Sequence, residues 1–348
     1  MFNRALTLGL TFVALLTALL AFALFRITDS DREEYHALLT PGRENIPLLS
    51  QERREVTKEI HTGEHHLTLR CHSSTLALSK GETAEEMEGI VGDFESGHFE
   101  AERGEYDYRT HHLTAQKGTL HGEALQGEAA RLDLYFKSWP ADLPPLFLHT
   151  AGPDGQLIVL QEEAHLHHKG HTLDGEAVWI AQKGGELDGA LALGPTTLSS
   201  PSGALLHTEG SLLLDTATQT LIATGDPVHY ADPRGSFTTD RLALSYDPEG
   251  PRATRLHLQG NVEIAATSDT LPLRKALADE ALYLPATDKL TLKAAEGKRV
   301  LFLDDSSDLR LSAHEVVAHT REHKVEGVGG VRCYLQEEEL RLLTGSKP

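Results

Sequence analysis

Twenty histidines occur among 348 residues, and they are the side chains best suited to hold a metal or move a proton. Two groups are dense: His61, His65 and His66, then His165, His167, His168 and His171. His165 and His167, two residues apart, share one side of a strand, which makes a site there possible. Zinc needs three or four ligands at fixed geometry, with further groups orienting the imidazoles. The chain contains no HExxH and no CxxC. The histidines therefore read as polar residues on exposed strand faces, with no metal and no cofactor expected.

The other chemistries find little support. The chain carries 52 acidic residues, and a pair of converging carboxylates could cleave a glycosidic bond. Aromatic residues make up only 6% of the chain, with Trp139 and Trp179 the two tryptophans, so there is little to stack a sugar against. No GxSxG elbow, P-loop or dinucleotide fingerprint is present. The glycines Gly327, Gly329 and Gly330 fit turns between strands. A formal net charge of −20 argues against nucleic acid, which requires a basic footprint. No catalytic residue is expected, and the chain reads as a non-enzyme.

The chain has two cysteines, Cys71 and Cys333. Each sits at two-residue spacing from apolar neighbours: Cys71 after Leu67 and Leu69, Cys333 between Val331 and Leu335. They read as two buried thiols on apolar strand faces, although an exported chain would also permit a disulfide.

Residues Ala5–Phe25 form a run of 21 without a charge. As a helix it is about 31 Å long, the thickness of a bilayer's hydrocarbon core. Arg4 precedes it, and Arg26, Asp29, Asp31, Glu33 and Glu34 follow. Residues 1–26 are expected to be a single-pass inner-membrane anchor with a cytoplasmic N-terminus and an exported body. Ala21-Phe22-Ala23 resembles a cleavage site and leaves a signal peptide as the alternative, but the run is long for one. Residues 27–58 are polar and read as a periplasmic linker.

From about residue 59, two-residue alternation dominates. Leu67, Leu69 and Cys71 fall on one face, as do Leu242, Leu244 and Tyr246; Leu290 and Leu292; Val316 and Ala318. Such alternation marks antiparallel strands with one buried and one wet face. The stretch RATRLHLQGNVEI (252–264) reads as strand, turn glycine, strand, with Leu256 and Leu258 before Gly260 and Val262 and Ile264 after it. Gly225 and Gly260 stand 35 residues apart, which suggests a repeat of several short strands stacking into an elongated β structure. Three prolines within 137–150 (KSWPADLPPLFLHT) exclude a central strand there. That stretch divides the body into an N-terminal part, 59–140, and a C-terminal part, 150–348.

The phrase LALSYDPEGPRATRLHLQGNVEI resembles the strand grammar of OstA-like proteins, the periplasmic components of the lipopolysaccharide transport bridge of LptA and LptC type. So does ADEALYLPATDKLTLKAAEGKRVLFLDDSSDLRLSAHEVVAHTREHKVEGVGGVRCYL. The resemblance covers 205–335 best, and the anchored arrangement looks like that of LptC. It implies an all-β, elongated, open antiparallel β-jellyroll with an apolar groove, which holds lipopolysaccharide by its acyl chains. It further implies transfer from an inner-membrane ABC transporter toward the outer membrane, and docking of another periplasmic jellyroll through an edge strand. The β region is nearer two family domains than one. The groove candidates are the alternating apolar positions Leu242, Leu244, Tyr246, Leu256, Leu258, Val262, Ile264, Leu290, Leu292, Val316, Val325 and Val331. A membrane-tethered structural β-solenoid whose interior is plain core is the alternative, and an envelope enzyme acting on glycans or lipids a further one.

Overall fold

Long alternating runs broken by few prolines favour long strands, and strands are what the chain forms. The computed structural model describes residues 49–334 except 63–64, 80–81, 95–96, 123–124, 137–138, 141–142, 145–146, 148–154, 185, 248–249, 269–270, 306–308, 320–321 and 323. The expected anchor, 1–26, lies outside the described residues. Among the described residues no helix is long and apolar enough to cross a membrane.

The first strands are β1 (Leu49–Thr62), β2 (His65–Ser79), β3 (Glu82–Phe94), β4 (Gly97–Asp107), β5 (His112–Gly122) and β6 (Leu125–Tyr135). β1 thus begins inside the stretch read as linker. Then come β7 (Gly155–His168), β8 (His171–Lys183), β9 (Glu186–Ser199), β10 (Leu205–Thr208) and β11 (Ser211–Asp215). They are followed by β12 (Thr220–Asp232), β13 (Gly235–Asp247), β14 (Gly250–Ser268) and β15 (Leu271–Leu284). Six short strands complete the series: β16 (Lys289–Lys293), β17 (Val300–Asp304), β18 (Leu309–Ala313), β19 (Glu315–His319), β20 (Lys324–Val328) and β21 (Arg332–Tyr334). The fold is all-β and antiparallel. Each strand from β2 to β9 pairs with the next, and β1 pairs with β2. β10 and β11 act as one interrupted strand, since both pair with β9 and with β12.

The register aligns two apolar rows across the sheet. One runs Leu69, Gly92, Phe99, Leu120, Gly127, Leu166, Leu173, Leu198, Leu206, Tyr230, Phe237, Ile264, Ala276, Phe302 and Leu311. The other runs Met87, Gly104, Ala115, Leu132, Leu160, Val178, Ala192, Leu212, Ala223, Leu242, Leu258, Ala281, Leu292 and Val316. Members of both rows join a single hydrophobic cluster. The long strands β3 to β9 and β12 to β15 contribute to both rows.

Several of these strands carry bulges. Register shifts lie at Gln161/Ala164 in β7, Thr224/Val228 in β12, Thr238/Arg241 in β13 and Gln259/Val262 in β14. An extra residue in one strand bends it and increases its twist. This corrects the reading of residues 252–264 as strand, turn, strand. β14 is continuous through them, and Gly260 is a bulge residue at φ +77°. Gly225 lies in the equivalent break of β12. The spacing of 35 residues therefore runs through the second half of β12, all of β13 and the first half of β14, in place of several short strands.

The described residues of the proline-rich stretch form no strand, in keeping with its prolines. Its described residues Trp139, Leu143 and Phe147 form a second, smaller cluster with Ala181, Leu191, Trp179 and Leu213. Trp179 stands opposite Leu191 and Leu191 opposite Leu213, so the stretch covers an apolar patch on the face of β8, β9 and β11 that carries no interior row. Phe147 is fully buried there.

Two buried acids find partners nearby, although only one oxygen of Glu85 is hydrogen-bonded. Glu85 accepts from Lys58 and, at 2.6 Å, from Tyr108; burial lowers the Lys58 pKa and raises that of Tyr108. Asp133 accepts from His112 at 3.0 Å, Thr114 at 2.8 Å and Arg131 at 2.9 Å. Burial pushes its pKa upward, but these hydrogen bonds outweigh it and hold the carboxyl below its usual range.

A Cβ on Gly92 would stand 2.0 Å from the buried Phe99 ring. Gly92→Ala is expected to destabilise the fold by about 1–3 kcal/mol, read as a lower urea midpoint at unchanged slope. Asp133→Asn is expected to cost about 1–3 kcal/mol near neutral pH. Because the folded pKa is depressed, the carboxylate's contribution is present above its unfolded value of roughly 3.9 and is lost as pH falls through the folded value. Urea unfolding near pH 7 and near pH 3 is expected to show the two proteins converging in acid; an equal gap at both pH values counts against the assignment.

Candidate functional site

At β15 the sheet forks. Residues Glu280–Leu284 of β15 pair with β16, while Arg274–Leu277 pair with β17. One branch continues from β16 through β19 to β20. The other continues from β17 through β18 to β21. A polar clamp holds the crotch of the fork. Asp279 accepts from the Ala295 amide at 2.8 Å and from Lys298 Nζ at 2.6 Å, which lowers its pKa, Lys298 acting most strongly. Arg299 donates to Ser312 Oγ at 2.7 Å and to the Gly330 carbonyl, tying the two branches' connections together.

Between the branches lies a cavity of about 220 Å³. Ile264, Ala276 and Phe302 from the first apolar row form one wall. Leu290, Ala318 and Val325 form the other; they belong to a third row, Leu221, Leu244, Leu256, Tyr283, Leu290, Ala318 and Val325. The volume is below that of a pocket for a whole drug-sized molecule, roughly 300 Å³ and upward. It suits a slender apolar chain entering from solvent.

The rim is basic although the chain as a whole is strongly acidic. Arg274, Lys275, His319 and Lys324 line the cavity's polar margin. Lys289 stands opposite His319, which in turn stands opposite Lys324. Two acids temper this charge: Asp304 accepts from Arg274 at 2.9 Å, and Glu326 pairs with Lys324 and raises its pKa. Lys275 and Lys324 are exposed. An apolar slot with cations at its mouth can take an amphiphile that carries an anionic group beside its alkyl chain, at roughly 0.8 kcal/mol per buried CH₂.

The twelve groove candidates divide among several environments. Leu242, Leu258, Val262, Leu292 and Val316 are buried in the interior. Leu244, Leu256 and Tyr246 are half-buried away from the cavity. Ile264, Leu290 and Val325 line the cavity itself. Val331 is 48% exposed in the turn between β20 and β21, its methyls 3.0 Å from where a Cβ on Gly327 would stand. Alternation placed Ala318 beside Val316 but did not single out Phe302, Ala276 or the basic rim. Phe302 alternates with Val300 in VLFLD and could have been found that way. The rim residues come from different strands and carry no joint signal in the sequence.

Both cysteines are free, and Cys333 departs from the expectation of burial. β21 pairs with β18 alone among the described residues, and Cys333 is exposed there. In the second histidine group His165, His167 and His171 are exposed, whereas His168 is half-buried with its Nδ1 enclosed. His165 Nδ1 lies 2.7 Å from Asp174, which raises the histidine pKa, and His167 Nδ1 lies 3.3 Å from Thr172 Oγ1.

No protein-family model matches the chain, and no curated protein matches it. Among solved structures, the chain is similar to LptH, the LptA homologous periplasmic component of the conserved lipopolysaccharide transport device from Pseudomonas aeruginosa. The identity is 11% and the TM-score 0.33, and the match covers 39% of this chain and 96% of that chain.

The cavity generates its own test. Ala318→Leu would fill it with apolar volume from one wall. Binding of a fluorescent long-chain fatty acid is expected to weaken by about tenfold or more, while the urea midpoint holds or rises. Unchanged binding would place the fatty acid elsewhere.

Proposed function

We propose that this chain is a non-catalytic lipid-binding protein of the cell envelope, which takes the acyl chains of lipopolysaccharide and passes the lipid from an inner-membrane ABC transporter toward the outer membrane. The observation that carries the reading is the cavity at the fork. It is apolar inside, basic at its mouth, and walled by rows of apolar side chains that run on into the interior. Lipopolysaccharide carries acyl chains beside anionic groups, and a slot that takes part of one such chain under a basic mouth suits that pairing. The resemblance of residues 205–335 to OstA-like proteins points the same way. In this reading residues 1–26 tether the β body to the inner membrane, which leaves the body in the periplasm. The last strands offer an edge to another periplasmic jellyroll, with Val328, Val331 and Tyr334 exposed there.

A second reading has one observation in its favour. Leu132, Leu160 and Val178, far along the row from the fork, are fully buried, as in the plain core of a tethered structural protein. Photo-crosslinking separates the two. A photoreactive residue is placed at Ile264 or Leu290 in the cavity, and at the exposed Arg241 or His229 as controls. Lipopolysaccharide adducts are expected at the first pair and not at the second. A folded, exported protein with no adduct at either cavity position would favour the structural reading.

A further inference from the structure

The first hairpin brings three metal-binding side chains together. Ile60 in β1 and Leu67 in β2 are buried. Alternation therefore turns Glu59, His61 and His66 to the opposite, outer face, and all three are exposed. The His61 and His66 rings approach to 4.6 Å between centroids. A ligand atom from each of the three residues lies within 4.8 Å of the other two. Among the described residues this is the one place where three such groups converge so closely. The other histidine pair at similar ring separation, His98 and His121, is stacked at 4.9 Å and belongs to no such group of three. Elsewhere His72 meets a single carboxylate, Glu55, at 2.8 Å, and His257 meets Glu280 at 2.6 Å.

We infer that Glu59, His61 and His66 form a surface site for a divalent zinc-class ion. Two imidazoles and a carboxylate are ligands zinc accepts, with water free to take the remaining position. A tetrahedral site with bonds of about 2.0–2.2 Å needs donor atoms roughly 3.4 Å apart. The three groups reach that by rotation of exposed side chains, with no movement of the strands. The ion bridges β1 and β2, and so pins the first strand to the sheet. The inference is independent of lipid binding: the fork cavity is lined by residues of β14 to β20, and the metal site lies on the first hairpin.

The test is zinc titration of the metal-stripped full-length chain by calorimetry, followed by X-ray absorption at the zinc edge. One zinc per chain is expected, in a shell of nitrogen and oxygen at about 2.0–2.2 Å without sulfur. His61→Ala and Glu59→Gln are expected to weaken binding by about tenfold or more, and His98→Ala to leave it unchanged, with circular dichroism the same in all three. The inference is overturned if the full-length chain takes up no stoichiometric zinc, if a variant lacking both His61 and His66 binds it as well as before, or if the shell contains sulfur.

Discussion

Cross-strand register is the constraint on which the rest of this molecule depends. In a sheet the side-chain period is two, so a slip of one residue would turn every apolar side chain of a strand to the wrong face. Here the register holds from β2 to the final strands, and it aligns Leu, Ile, Phe and Ala into rows that cross the sheet. No single pair is decisive. Burial of whole rows discriminates against slipped registers, and the antiparallel hydrogen bonds satisfy the backbone at the same time.

The bulges make one strand serve two rows. A strand of thirteen residues such as β12 or β13 is about 43 Å long when straight, too long to pack flat in a small interior. A bulge near its middle bends it, and its two halves contribute to different rows that share one core. Residues suited to bends occupy these breaks: Gly260 and Asn261 in β14 with positive φ, and Pro195 and Pro227 where β9 and β12 lose regular pairing. The same device sets up the fork. When β15 gives its two halves to separate partners, the rows diverge, and the space between them is the cavity.

The proposed acyl-chain and metal sites use different faces of this sheet. The interior face is mostly apolar, with a few buried polar groups such as Glu85 and Thr239, and it meets charge at the cavity mouth. The outer face is a mixed polar surface where histidines and carboxylates from neighbouring strands fall opposite one another, as His165 and Asp174 do. Such cross-strand pairs are a consequence of register on a polar face, and a third ligand two residues along the strand makes one of them a chelating set.

By itself the sequence determined the all-β class, the antiparallel pattern and the identity of the inward face, because alternation has a direct physical meaning: one side of each strand must leave water. Leu242, Leu258, Val262, Leu292 and Val316 were legible for that reason, and all are buried. Alternation alone could not distinguish a bulge from a turn, since both interrupt the pattern with glycine, and so one continuous β14 read as two strands. Nor could it separate Ile264 and Leu290 from the residues buried behind them. The cavity exists because β15 pairs with two partners at once, and its rim assembles cations from strands far apart in sequence. Only tertiary structure decided those, because hydrogen-bond partnership and the gap between two diverging rows are properties of strands brought together, and no short stretch of residues records them.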